Sequence, residues 1–186
     1  MPLTDLAPAA ALVVVDLQKG IVTLPTVHPA ADVVARSAEL AAAFRASGRP
    51  VVLVNVAGGA PGRTDEQQTR GELPARPADW ADLVPELDAR EGDHLVTKQR
   101  WGAFTGTDLH ERLQAAGVSQ VVLTGIATSI GVESTARFAA ELGYHVVLVT
   151  DAMTDRDADA HANSVERIFP RLGETATTPE VISRLT

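Results

Sequence analysis

The stretch Ala9-Ala10-Ala11-Leu12-Val13-Val14-Val15-Asp16-Leu17-Gln18 runs through seven apolar residues and then stops on a carboxylate. Three further runs share its β-branched content and its lack of alternation: Val51-Val52-Leu53-Val54, Val121-Val122-Leu123 and Val146-Val147-Leu148-Val149. A weaker run, His94-Leu95-Val96-Thr97, follows the turn signal Glu91-Gly92-Asp93. A strand with water on one side alternates, so unbroken runs of this length read as strands buried on both faces, as in a parallel sheet between helical layers. The segments between them carry helical spacing. Val33, Leu40 and Phe44 share a face over residues 31–47, which Gly48 ends. Leu109, Leu113 and Ala116 do so over 108–116, with Thr107 as cap and Gly117 as stop. Val132, Ala136 and Ala139 line one side of 132–142 ahead of Gly143, and Ala158, Ala162, Val165 and Phe169 align behind the cap-like Thr154-Asp155-Arg156-Asp157. Alternating strands and helices make an α/β fold: a three-layer α/β/α sandwich around a central, mostly parallel sheet of about six strands.

A length of 186 residues fits one domain, residues 1–186. Hydrophobic types at 45% and charged types at 22% suit a packed core rather than a disordered chain. The net charge of −8 argues against nucleic acid and against an anionic membrane surface, since both demand a basic stripe. Seven apolar residues fall far short of the roughly 20 of a membrane span. Met1-Pro2-Leu3-Thr4-Asp5 lacks the basic start of a secretory signal, so a cytoplasmic location is expected. The chain has no cysteine, which excludes disulfides, thiolate nucleophiles and Cys-ligated metals. Residues 57–78, with Gly58, Gly59, Pro61, Gly62, Gly71, Pro74 and Pro77, read as a long loop without its own structure, of the kind that covers an active site. No domain boundary falls there, because neither flank holds enough strands to stand alone.

Ligands of an open parallel sheet bind beyond the carboxyl ends of its strands. Those ends deliver Asp16 with Gln18, then Asn55, then Lys98 followed by Gln99-Arg100-Trp101-Gly102-Ala103-Phe104, then Gly125-Ile126-Ala127-Thr128-Ser129-Ile130-Gly131, and Asp151. An aspartate and a lysine in contact can share or pass a proton, each shifting the other's pKa. A Gly-bounded turn leading into a helix offers main-chain N–H groups to an anion. Each residue also has a plainer use: an aspartate after a strand caps or turns, a strand-end lysine faces solvent, and Trp101 and Phe104 fill core. Asp151 is read as a cap, and Lys19 as solvent-facing. The five histidines (28, 94, 110, 145 and 161) show no metal-ligand spacing and fall on unrelated elements, so no metal is expected. No Gly-x-Gly-x-x-Gly or Gly-Lys-Ser/Thr occurs, and no cofactor is called for.

Taken together, Val14-Val15-Asp16-Leu17-Gln18, Lys98-Gln99-Arg100-Trp101-Gly102-Ala103-Phe104 and Gly125 to Arg137 resemble the isochorismatase-like hydrolase superfamily, with Gly143-Tyr144-His145-Val146 and Thr150-Asp151-Ala152-Met153 continuing the pattern. The resemblance spans residues 11 to about 170. It implies a catalytic set of Asp, Lys and Cys, whose positions here are Asp16, Lys98 and Gly131. It implies a non-proline cis peptide at Ile126-Ala127 and oxyanion donors at the main-chain N–H groups of Ala127 and Gly131. It also implies association into a homo-oligomer whose shared contacts close the site.

Glycine at 131 departs from the thiol members and forbids covalent catalysis of their kind. Ser129 and Ser134 are expected to point elsewhere. The true isochorismatases are similar in having a small residue there, and they hydrolyse a vinyl ether by protonation and water capture. The expected activity is therefore hydrolysis of a small anionic molecule, with Asp16 as general acid/base, Lys98 as its partner and Gln18, Asn55, Trp101 and Phe104 around the substrate. The bond cleaved is the vinyl ether of an isochorismate-like substrate or, with water and Asp16 as base, a C–N bond. The alternative is a non-catalytic member that keeps the pocket for ligand binding or assembly. The Asp-x-His zinc pattern of nicotinamidases after the second strand is missing.

Overall fold

The computed structural model describes residues 3–59, 62–70 and 75–185. Six strands form one sheet: β1 (Ala10–Val15), β2 (Val51–Val56), β3 (His94–Lys98), β4 (Gln120–Ile126), β5 (His145–Thr154) and β6 (Glu174–Ala176). They lie in the order β3-β2-β1-β4-β5-β6, and every pairing is parallel. The helices are α1 (Lys19–Val22), α2 (Ala30–Ala46), α3 (Asp65–Arg70), α4 (Leu109–Ala115), α5 (Glu133–Glu141), α6 (Ala158–Asn163), α7 (Phe169–Leu172) and α8 (Thr178–Ile182).

The unbroken apolar runs have the cause expected of them. Leu12 and Val14 of β1 enter one core with Val33, Leu40 and Phe44 of α2 and Val181 of α8. Ala11, Val13 and Val15 enter the other, with Leu109 and Leu113 of α4, Ala136 and Ala139 of α5 and Phe169 of α7. With about 25 cal/mol per Å² of apolar area withdrawn from water, a strand covered on both faces is stabilised twice along its length. The chain winds outward from β1 in both directions, so strand order reverses between β1 and β4 and leaves a crevice beyond their carboxyl ends.

Several local expectations are corrected. β6 is a three-residue edge strand with no apolar run to announce it. β5 does not stop near Val149 but continues through Asp151 to Thr154, made possible by a register shift against β4 between Leu123 and Gly125. Ala116 is exposed, and Asp108 rather than Thr107 is the N-cap residue of α4. The helical stretch 157–169 is broken by a wider π-turn at Ser164–Ile168; Ala158 is exposed and Ser164 is buried. Within 57–78 the chain forms α3, while Pro61, Gly71 and Pro74 lie outside the described residues. At Gly125 β4 passes so close to β1 that a Cβ would sit 2.0 Å from the carbonyl oxygen of Val15, and φ is +125°. Only glycine fits there.

Candidate active site

β1 ends on Asp16, which takes a left-handed conformation (φ +57°) while its N–H still donates to Val54 O. Holding a non-glycine residue in this region costs about 1 kcal/mol. The carboxyl group is thereby brought to Lys98, delivered by the end of β3, across the width of β2. Lys98 Nζ donates to Asp16 Oδ2 at 2.7 Å and to Arg100 O at 3.2 Å. Both side chains are buried, Asp16 at 5% exposure and Lys98 at 1%. Asp16 Oδ1 has no hydrogen-bond partner among the described residues.

Burial, which disfavours the charged carboxylate, pushes the Asp16 pKa from 3.8 up to about 6 against the opposing pull of the Lys98 charge and hydrogen bond. Desolvation therefore wins, and the acid still holds part of its proton near neutrality.

Opposite the pair lies bare main chain. β4 runs through a cis peptide at Ile126–Ala127 into the π-turn Thr128–Val132, which opens α5. A Cβ on Gly131 would lie 3.1 Å from Asp16 Oδ2 and 3.2 Å from Val15 Cγ1. Asp16, Lys98, Ala127, Gly131 and Trp101 line one cavity of about 230 Å³. A larger hollow of about 620 Å³ sits at the opposite ends of β4 and β5, against Gln120 and His145. It holds neither the carboxyl–ammonium pair nor the turn, so chemistry rather than size selects the smaller one.

Three expected lining residues stand elsewhere. Gln18 is fully buried and spends its amide on main chain, accepting from Val56 N at 2.7 Å and donating to Val56 O and Trp80 O. Asn55 donates to Ala81 O at 2.7 Å. Phe104 stacks on Tyr144 in the core beneath α4 and α5. A polar residue after a strand serves backbone as readily as ligand, and here backbone took two of them. Asp151 accepts from Thr178 N at the start of α8, and Lys19 pairs with Asp79 and Asp82 in solvent. His28 and His161, from separate elements, meet edge-to-face at 5.1 Å. Among the described residues no three His, Asp or Glu side chains are placed to hold a metal ion.

Other contributors were not read from the sequence. Arg76, Trp80 and Arg156 line the cavity. Arg76 stacks 3.9 Å over the Trp80 ring. Asp155, the residue that the longer β5 actually delivers, is 3% exposed and accepts Ser129 N and Ser129 Oγ on Oδ2. That fixes the turn and commits the Ser129 hydroxyl, so this serine does not replace a thiol. The charged cluster Asp155-Arg156-Asp157 at a strand end was the available signal.

A family model described as the isochorismatase domain matches residues 10–180. The chain belongs to the isochorismatase family. An uncharacterized isochorismatase family protein of Bacillus subtilis, YwoC, is 44% identical over 182 residues, covering 94% of this chain and 93% of its own. YecD of Escherichia coli O157:H7, named in the same way, is 43% identical and covers 96% and 97%. The solved structure of an isochorismatase family protein from Burkholderia thailandensis superposes with a TM-score of 0.88 at 45% identity, covering 97% of each chain. Relatives in this family bear the names of amidohydrolases and of isochorismatases alike. The protein is accordingly an isochorismatase-like hydrolase, and the family leaves its substrate open.

Proposed function

We propose that this hydrolase cleaves a small anionic enol ether without a cofactor, with Asp16 as general acid. The observation that carries the reading is a buried carboxyl group with a pKa near 6 beside Gly131, which has no side chain, with Oδ2 held by Lys98 and Oδ1 buried and unpartnered. Because Oδ2 accepts from an ammonium group, the proton of the neutral acid resides on Oδ1. Oδ1 delivers it to the terminal CH₂ carbon of the enol ether, leaving an oxocarbenium ion stabilised by its ether oxygen. Water adds at the oxygen-bearing carbon of that ion and returns a proton to Asp16. The resulting hemiketal breaks its C–O bond, releasing an alcohol and a keto acid. Every atom is accounted for by substrate and water. Lys98 holds the acid in place, and the Gly131 main chain leaves room for the substrate. Trp101 supplies an apolar wall.

Incubation with isochorismate and with a panel of small amides tests the reaction class. The expected product is pyruvate from the first, with no ammonia from the second. Ammonia release without a trapped covalent intermediate would replace this reading by water-mediated C–N hydrolysis. Ligand-induced thermal stabilisation without any turnover would replace it by a binding role.

We also infer a homo-oligomer. Trp101, Ile130, Phe138 and Leu142 are all exposed, and the last three recur along the turn and α5 at helical spacing beside the cavity. Water-facing apolar stripes of this kind mark association surfaces. Sedimentation velocity is expected to give a mass above 19.6 kDa, and Phe138→Glu to lower it; a wild-type chain that sediments as a monomer contradicts the inference.

A further inference from the structure

We propose that Arg156 is the receptor for a carboxylate of the substrate, aimed into the cavity by Asp155; this rests on the reading above only in taking the cavity as the reaction site. Among the described residues three cations line that cavity, Lys98, Arg76 and Arg156, against one acid, Asp16. They are not equally free. Lys98 Nζ is committed to Asp16 and to Arg100 O. Arg76 lies over the Trp80 ring and donates to Ala57 O and Gly58 O, at 3.2 Å and 3.4 Å, so its position and its donors are largely spent. The guanidinium group of Arg156 makes no hydrogen bond or ion pair among the described residues; the residue is held only by its main chain.

That main-chain anchor fixes the backbone from which the Arg156 side chain springs. Asp155 Oδ1 accepts Arg156 N at 2.7 Å, while Oδ2 of the same carboxylate accepts Ser129 N and Ser129 Oγ at 2.7 and 2.8 Å. The root of Arg156 is thereby tied to the turn that carries Gly131. Thr128, next in that turn, is held from behind by His161 Nδ1 at 2.9 Å. A planar guanidinium with free donors matches a carboxylate in a two-pronged geometry that an ammonium group does not offer. Apart from Thr26, the remaining side chains of the wall, Ile21, Leu24, Trp101 and Ile130 among them, are apolar, which suits a ligand with a hydrocarbon body and one charged end. Low-dielectric walls also strengthen the attraction. The ligand class is a small carboxylate whose charge lies toward Arg156 and whose reacting carbon lies toward Asp16.

Benzoate and benzamide, alike in shape and different in charge, are the probes, titrated calorimetrically into the intact protein at fixed ionic strength. A charge-assisted pair of hydrogen bonds gives the wild type a preference for benzoate of about tenfold or more. Arg156→Gln is expected to erase that preference by weakening benzoate alone, and Arg156→Lys to restore part of it. Arg76→Gln is expected to leave it in place. A wild type that does not distinguish the probes, a preference that survives Arg156→Gln, or one that disappears in Arg76→Gln would each overturn the assignment. Asp16→Asn is expected to bind benzoate with its preference intact. Carboxylate recognition is thus read separately from turnover, and a protein that binds by Arg156 yet releases no keto acid refutes the proposed reaction without touching this receptor.

Discussion

With asparagine at position 16, turnover of an enol ether is expected to fall by about 10²- to 10⁴-fold, the range that a positioned proton donor contributes. The substitution keeps the shape of the side chain and an oxygen for Lys98, so the folded protein should still bind carboxylates. On the proposed reaction the competent form of Asp16 is the protonated one, and its pKa of about 6 lies above the ordinary 3.8 because burial disfavours the anion. kcat/KM should therefore be level below pH 6 and decline about tenfold per unit above it. A profile that instead rises with pH to a plateau would make Asp16 a base and favour C–N hydrolysis. An Asp16→Asn protein with full activity would remove the residue from the mechanism altogether.

Lys98→Met should expose how the pair is balanced. At about pH 5 Asp16 is mostly neutral, and the lysine is a buried cation beside an uncharged acid, so losing it costs little. At about pH 8 the variant must either bury a bare carboxylate or hold a proton against the solution, and breaking a buried pair in this way costs about 3–5 kcal/mol. Urea midpoints at the two pH values should therefore diverge, with the larger loss at the higher one. The sign follows from the raised carboxyl pKa. Stability from this group is fully present below 3.8 and is lost as pH rises through 6, amounting to about 3 kcal/mol even with the lysine in place. The activity limb should also move to higher pH, since both influences that lower the Asp16 pKa come from Lys98. An equal loss of stability at the two pH values, or a limb that moves down, contradicts this account.

What could be read from residues alone divides along physical lines. β1, β2, β4 and β5 were legible because burial on both faces writes itself as unbroken apolar text. β6 was not, since a three-residue edge strand needs no such run. The last residues of β5 were hidden because Thr150 and Asp151 interrupt the pattern, and the strand's continuation shows in the pairing of Met153 with Gly125 and of Thr154 with Ile126 across the shifted register. The proximity of Asp16, Lys98 and Gly131 was legible through the rule that strand ends converge and through family resemblance. Gln18 and Asn55 were misplaced because a side-chain amide satisfies main chain and ligand with the same atoms. Arg76, Trp80, Asp155 and Arg156 were unread because residues in connecting segments carry no periodicity, and their positions depend on contacts distant in the chain.

Peroxide and alkylating agents disable thiol hydrolases by consuming the sulfur on which they depend. At Gly131, where an added Cβ would lie 3.1 Å from Asp16 Oδ2, this protein presents bare main chain, and nowhere in its sequence does it carry a cysteine. Nothing at such a centre can climb the oxidation ladder. On the proposed mechanism, turnover is expected to run on through an oxidative burst that silences a sulfur-dependent cousin of the same shape.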